Sequence, residues 1–133
     1  MLLPPANIEE VILQLDGIIN TETAAASNLA FFPVLYKKVT ERIKLGIANK
    51  EFEDNPRMER LDVLFAGRYI EAYHQFRAGE TPTQSWELTF QAAANNKFII
   101  MQHLLLGINA HINLDLGVAV ADTVGENEKL SDI

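Results

Sequence analysis

Apolar residues recur along this chain at intervals of three and four, the spacing that lines one face of a helix. Ile8, Val11, Ile12, Leu15 and Ile19 form the first such set, with Asn7 before it and Glu10 three residues on. That pair is a capping signature, because its side chains satisfy the free N–H groups of a helix start. A polar, alanine-rich connection is expected from Asn20 to Ser27. Leu29, Phe32, Tyr36, Val39, Ile43 and Ile47 mark a second helix. Pro33 must lie in its first turns, since it has no N–H to donate further in.

Asn55-Pro56 reads as a cap followed by proline at the first helical position, so a third helix starts there and runs to about Ala78, where Gly79 stops it. Thr81-Pro82 gives the same signal for a fourth helix carrying Trp86, Phe90 and Ala93. A fifth is expected from Lys97 to Asp115, ending near Gly117, before an apolar piece from Val118 to Val124 and an acidic tail over 125–133. No strand-like alternation, hairpin signal, repeat or phosphate-cradling glycine loop interrupts this pattern. The expected fold is one all-α domain over residues 1–133, an irregular bundle of about five helices with a central buried C-terminal helix. The ending Glu-Lys-Leu-Ser-Asp-Ile resembles a helix start, so the natural domain is expected to continue with a further helix.

Composition narrows the class. Hydrophobic residues make up 48% and charged residues 22%, which is globular rather than disordered usage. With no cysteine there is neither a disulfide framework nor a thiolate ligand or nucleophile. The start, Met-Leu-Leu-Pro-Pro, lacks the basic and apolar regions of a secretory signal, so a cytoplasmic protein is expected. Polar groups break the most apolar segment, Phe98 to Leu116, too often for a membrane span. A net charge of −7 argues against a general nucleic-acid binder. Seven of the eleven basic residues nevertheless lie between Lys37 and Arg60, where Lys37, Lys38, Arg42 and Lys44 read as a solvated face or a local basic patch.

Candidate chemistry comes from polar residues on faces that should be buried. On a wheel of about 100° per residue, Asp62 falls inside the apolar arc of Met58, Leu61, Phe65, Tyr69 and Tyr73. A carboxylate there must be paired, hydrogen-bonded or protonated, because unpaired burial is costly. As an ion-pair partner it would make Asp62→Asn destabilising, which is the expectation; as part of a functional site it would not. In the fifth helix His103, Gly107, His111 and Asp115 follow at intervals of four. Gln102, Asn109 and Asn113 form a second polar stripe, with apolar faces between the two. His111 and Asp115, at i and i+4, suit either two metal ligands or an imidazole held by its carboxylate as a general base. His103 is about 12 Å along the axis from His111 and shares a metal with it only through another helix. His74 lies off the apolar arc and reads as a surface residue.

Serine-elbow, zincin, P-loop, dinucleotide and di-iron signatures are all missing. One reading is a hydrolytic acid–base centre of His111, Asp115 and Asp62, or a divalent metal ion held by these three with His103. The rival makes the same residues a hydrogen-bonded core network in an interaction protein. A third is a small-molecule pocket lined by Tyr69, Tyr73 and Trp86, for which Tyr69, Asn109 and Arg68 are candidate ligand-binding residues. A solvent-reachable cleft at His111 favours the first, and complete pairing with no opening favours the second. Asp62 and His111 belong to one site if they come within reach of a hydrogen bond or a shared water.

The strings Leu-Gly-Ile-Asn-Ala-His-Ile-Asn-Leu-Asp-Leu (106–116) and Leu-Asp-Val-Leu-Phe-Ala-Gly-Arg-Tyr (61–69) add a resemblance. With Phe32, Tyr36 and Thr40, and Phe52-Glu53-Asp54, the chain resembles a bacterial family known as domain of unknown function 5995, from about Asn28 to Asp122. The resemblance implies a helical fold whose motif polar residues match Asp62, Tyr69, Asn109, His111 and Asp115. It carries no established activity. Members tend to continue beyond this chain's last residue, which implies an uncovered face and pairing into a homo-oligomer.

Overall fold

Asn7 caps the first helix as its spacing suggests, its side chain accepting from the Glu10 backbone N–H at 2.9 Å. The computed structural model describes residues 3–93, 106–109 and 111–124. Helix α1 (Ile8–Ala24) buries Ile8, Val11, Leu15, Ile18 and Glu22 along one stripe. It runs through Asn20–Ala24, where the sequence suggested a connection, because Glu22 extends that stripe by one more turn. Ala26, at φ 52, ends the run in the left-handed region. A 3-10 turn (Asn28–Ala30) leads into α2 (Phe31–Ala48), with Pro33 in the first turn.

The inward face of α2 is rotated from the expected one. Phe32, Tyr36 and Thr40 are buried, while Val39 is 44% exposed. Positions three and four beyond Tyr36 flank the same face, so periodicity alone does not choose between them. Thr40 can be buried because its hydroxyl donates to the Tyr36 carbonyl at 2.9 Å.

Helix α3 (Asn55–Arg77) is capped by Asp54, one residue earlier than expected, with its carboxylate accepting from Arg57 N–H at 3.1 Å. Gly79, at φ +80, provides the left-handed stop. Helix α4 (Gln84–Ala93) follows. Of the expected fifth helix, 106–109 are helical, His111–Asp115 form a π-helical turn, and α5 (Leu116–Val124) continues through Gly117. Residues 97–105, with His103, and the acidic tail over 125–133 lie outside the described residues.

All regular structure among the described residues is helical. Helix α1 packs on α2 and α3, and α3 runs along α5 and the π turn. The inward stripe of the C-terminal segment is Gly107, His111, Asp115, Ala119 and Thr123, the first of the two polar stripes continued. Ile108 (39%) and Ile112 (49%), on one of the two apolar faces, are exposed instead. No described helix is long and apolar enough to cross a membrane. The basic residues of α2 mostly face carboxylates: Lys37 meets Asp16 at 2.6 Å, Arg42 meets Glu51 at 2.8 Å and Lys44 meets Glu9 at 3.3 Å. That neutralises much of the local basic patch.

Candidate functional site

The π turn brings together two of the candidate residues. A π turn inserts an extra residue into a helix and is common at functional sites. Here His111 and Asp115 sit at its two ends, 3% and 1% exposed, and His111 Nδ1 lies 3.0 Å from Asp115 Oδ2. A carboxylate only accepts, so Nδ1 is the donor here, and in the neutral ring that leaves Nε2 with its lone pair. Trp86 Nε1–H from α4 donates to the same oxygen at 2.8 Å, and Arg68 Nε from α3 donates to Oδ1 at 3.2 Å. Three donors from three elements therefore hold the Asp115 carboxylate.

Aromatic rings enclose the imidazole. Phe65 stacks on it at 3.6 Å between centroids and 6° between planes, and Tyr36 meets it edge-on at 4.7 Å. Phe32, Tyr69 and Trp86 approach within 5.8, 6.5 and 5.9 Å. Burial holds the His111 pKa below the ordinary imidazole value, and the hydrogen bond and charge of Asp115 restore only part of the shift. The ring is therefore neutral near pH 7. Its Nε2 is buried and has no hydrogen-bond partner among the described residues.

Asp62 is another unsatisfied group. It is 2% exposed, and its Oδ2 also lacks a partner among the described residues. Burial, assisted by the charge of Glu59, pushes its pKa up to about 7. No cation pairs with it among the described residues, so nothing described there supplies the ion pair that would make Asp62→Asn destabilising. No hydrogen bond joins Asp62 to His111. They are neighbours through Tyr36 and Phe65: Phe65 lies one turn beyond Asp62 on α3. The Tyr36 phenol is raised well above its usual range by burial, then by the charges of Asp62 and Asp115.

The other candidates separate. Arg68 joins the site directly, and Tyr69 joins it as an aromatic wall. Asn109 is exposed, on another face from the inward stripe of His111 and Asp115. His103 lies outside the described residues. Among those residues no three His, Asp or Glu side chains come together to hold a metal ion. His74 is partly buried rather than on the surface, and its Nε2 also lacks a partner.

Sequence reasoning missed one contributor to the site and one buried carboxylate outside it. Trp86 was read as a pocket wall, whereas its indole N–H anchors Asp115 across helices, a contact no spacing encodes. Glu22, 0% exposed, accepts from Tyr73 Oη at 2.5 Å and from Arg77 through both guanidinium contacts, one of them Nε at 2.8 Å. Its signal was available, four residues beyond Ile18 on the α1 stripe.

A family model described as a family of unknown function, DUF5995, matches residues 8–132. The chain belongs to this family. No curated protein and no solved structure matches it. In this DUF5995 member the string Asn109 to Leu116 spans the whole π turn, and the segment Leu61 to Tyr69 supplies Asp62, Phe65 and Arg68. The two strings that carry the resemblance thus meet around His111.

Proposed function

We propose that the protein is an acid–base catalyst of hydrolytic chemistry, with His111 as base through Nε2, Asp115 as its positioning carboxylate and Asp62 as acid. The observation that carries this reading is selective satisfaction. Each Asp115 oxygen has a donor, while His111 Nε2 and Asp62 Oδ2 are buried with no partner among the described residues. A network serving only stability leaves few such atoms, since each costs about 1–3 kcal/mol. The pKa directions fit: a carboxyl raised to about 7 retains a proton to give, and a lowered imidazole retains a lone pair to accept one. Arg68 and Trp86 hold Asp115 in place, which fixes the imidazole tautomer.

The structural-network reading draws on the closed surroundings of His111, which is 3% exposed. The metal reading draws on the same bare Nε2, since a metal-binding imidazole commonly donates its other N–H to a carboxylate. Nε2 and Asp62 would supply two ligands to a divalent ion, and the remainder would come from residues such as His103 or from water.

Nitrogen-detected NMR of His111, paired with hydrolysis of a panel of small esters and amides, tests the proposal. The expected result is a protonated Nδ1 and bare Nε2 at pH 7, with hydrolysis reduced at least about 100-fold in His111→Gln. A proton on Nε2, or equal rates in His111→Gln, Asp62→Asn and the parent protein, overturns it.

A further inference from the structure

Phe32, Tyr69 and Trp86 form a triangle of rings, with centroids 5.0, 5.4 and 5.1 Å apart. Each also touches His111. The same three rings line a narrow cleft of about 20 Å³, completed by the buried Leu29, Thr89 and Phe90 and by Asn28, which is half-buried and lies at its outer side. Phe90 contacts Trp86 at 5.3 Å and Tyr69 at 6.5 Å but is not in contact with His111. The cleft therefore lies across the ring triangle from the imidazole. We infer that this cleft is the entrance to the His111 site, closed by the Phe32 ring, and that it admits a small uncharged molecule with an apolar body and a hydroxyl.

Three features give the ligand its character. No described residue lining the cleft is charged, so a buried ion would lose hydration with no described charge to replace it. The walls are mainly aromatic and aliphatic, which suits an apolar body. Across the triangle lies the His111 imidazole, whose bare Nε2 is an acceptor that needs a donor; here the inference rests on the acid–base reading. In the closed state the cleft holds little more than one water, so a ring must move for anything larger.

Phe32 is the ring placed to move. It is the second residue of α2, directly after the 3-10 turn, and it packs against the bare Cα of Gly107. A Cβ at position 107 would overlap the Phe32 ring itself. Gly107→Ala should therefore displace the gate without removing it, and Phe32→Leu should shorten it.

Trp86 is the chain's one tryptophan, so its indole signal reports the cleft wall without ambiguity. The experiment titrates the full chain with benzyl alcohol, toluene and benzylammonium, reading Trp86 Nε1–H and His111 Nε2 by NMR. Benzyl alcohol should give saturable shifts at both, with affinity about tenfold above toluene for the added hydrogen bond. Benzylammonium should bind more weakly than either. Acrylamide quenching of Trp86 should rise several-fold in Gly107→Ala and Phe32→Leu. Absence of saturable shifts in the parent protein overturns the entrance, as does benzylammonium binding as tightly as the alcohol. Alcohol binding beside a protonated Nε2 would uphold the cleft and remove the acid–base reading. A bare Nε2 with no probe bound would do the reverse.

Discussion

Glu22 and Asp62 are both buried carboxyl groups on inward helix faces, 0% and 2% exposed, yet the protein treats them in opposite ways. Around Glu22 it assembles Arg77 and Tyr73. Burial works to raise the Glu22 pKa, but the hydrogen bonds from Arg77, Tyr73 and Ser27, with the Arg77 charge, outweigh it and lower the value. Around Asp62 no donor to Oδ2 is found among the described residues, and burial with the Glu59 charge pushes the pKa up to about 7. A buried charge with matched partners can hold the fold together, whereas one without them is a liability to stability. Retaining that liability one side chain away from an unsatisfied imidazole, with Tyr36 between them, is what distinguishes this region from the α1–α3 contact.

The largest expected effect is on the pH dependence of stability at Asp62. Between pH 3.8 and about 7 the folded protein keeps a proton that the unfolded chain has lost. Stability from this group is therefore complete below pH 3.8, falls as pH rises and levels off above 7. Asp62→Asn cannot titrate, so its stability relative to the parent should grow by roughly 4 kcal/mol from pH 4 to pH 8. Urea midpoints across that range check it. A difference that stays flat would mean Asp62 has a partner after all and would erase the contrast with Glu22.

The next effect is at the satisfied carboxylate. Arg77→Met leaves Glu22 in an apolar contact with only the tyrosine and serine donors. Breaking a buried pair from one side is strongly destabilising, but the Arg77 side chain is 44% exposed and water can replace part of it. A loss of about 3 kcal/mol at pH 7 is expected. Because the Glu22 pKa is lowered, its contribution exists above the unfolded value of 4.5 and disappears as pH falls through the folded one. The Arg77→Met penalty should therefore shrink in acid, whereas the Asp62→Asn difference shrinks for the opposite reason. Thermal unfolding at pH 3 and pH 7 separates the two.

How much of this contrast was legible in the sequence follows from the range of the interactions. Asp62 stood out because a wheel shows a carboxylate among apolar neighbours, and His111 with Asp115 stood out at i, i+4. Both are local facts. Glu22 was missed because Asn20, Thr21, Thr23 and the following alanines resemble a connection, although the stripe through Leu15 and Ile18 already pointed to it. The donors from Trp86 and Arg68 were illegible, since they reach Asp115 from other helices. The π turn was illegible too: an inserted residue leaves the apolar spacing intact on either side. Helix existence was readable, and the exact inward face was not, as Thr40 in place of Val39 shows.

A smaller effect tests whether Asp115 resembles Glu22 or Asp62. Arg68→Met removes one of three donors, from a guanidinium whose side chain is 30% exposed. Trp86 and His111 still hold Oδ2, so a loss of about 2 kcal/mol is expected, the range of a charge-assisted hydrogen bond. With its countercharge gone, Asp115 should favour a proton on His111, and the imidazole pKa should rise. An NMR titration that finds the His111 pKa unmoved would place Arg68 outside the site's electrostatics.

The smallest expected effect is at His111 itself. His111→Gln removes the stack on Phe65, worth about 0.5–1.5 kcal/mol, and shifts the bond to Asp115 onto a flexible amide. It also removes a buried Nε2 that no described group satisfies, and that offsets part of the loss. A net cost of about 1 kcal/mol is expected at pH 7, well below the cost at Arg77. The pH dependence is more telling. Burial lowers the His111 pKa, so below the ordinary imidazole range the unfolded chain takes up a proton that the folded protein refuses. Parent stability should therefore decline as pH falls below about 6.5, and His111→Gln should lack that part of the decline. Denaturant midpoints at pH 5 and pH 8, with constant slope m, measure it. A cost near 3 kcal/mol at pH 8 would show that Nε2 has a structural partner and that His111 belongs with Glu22 rather than with Asp62.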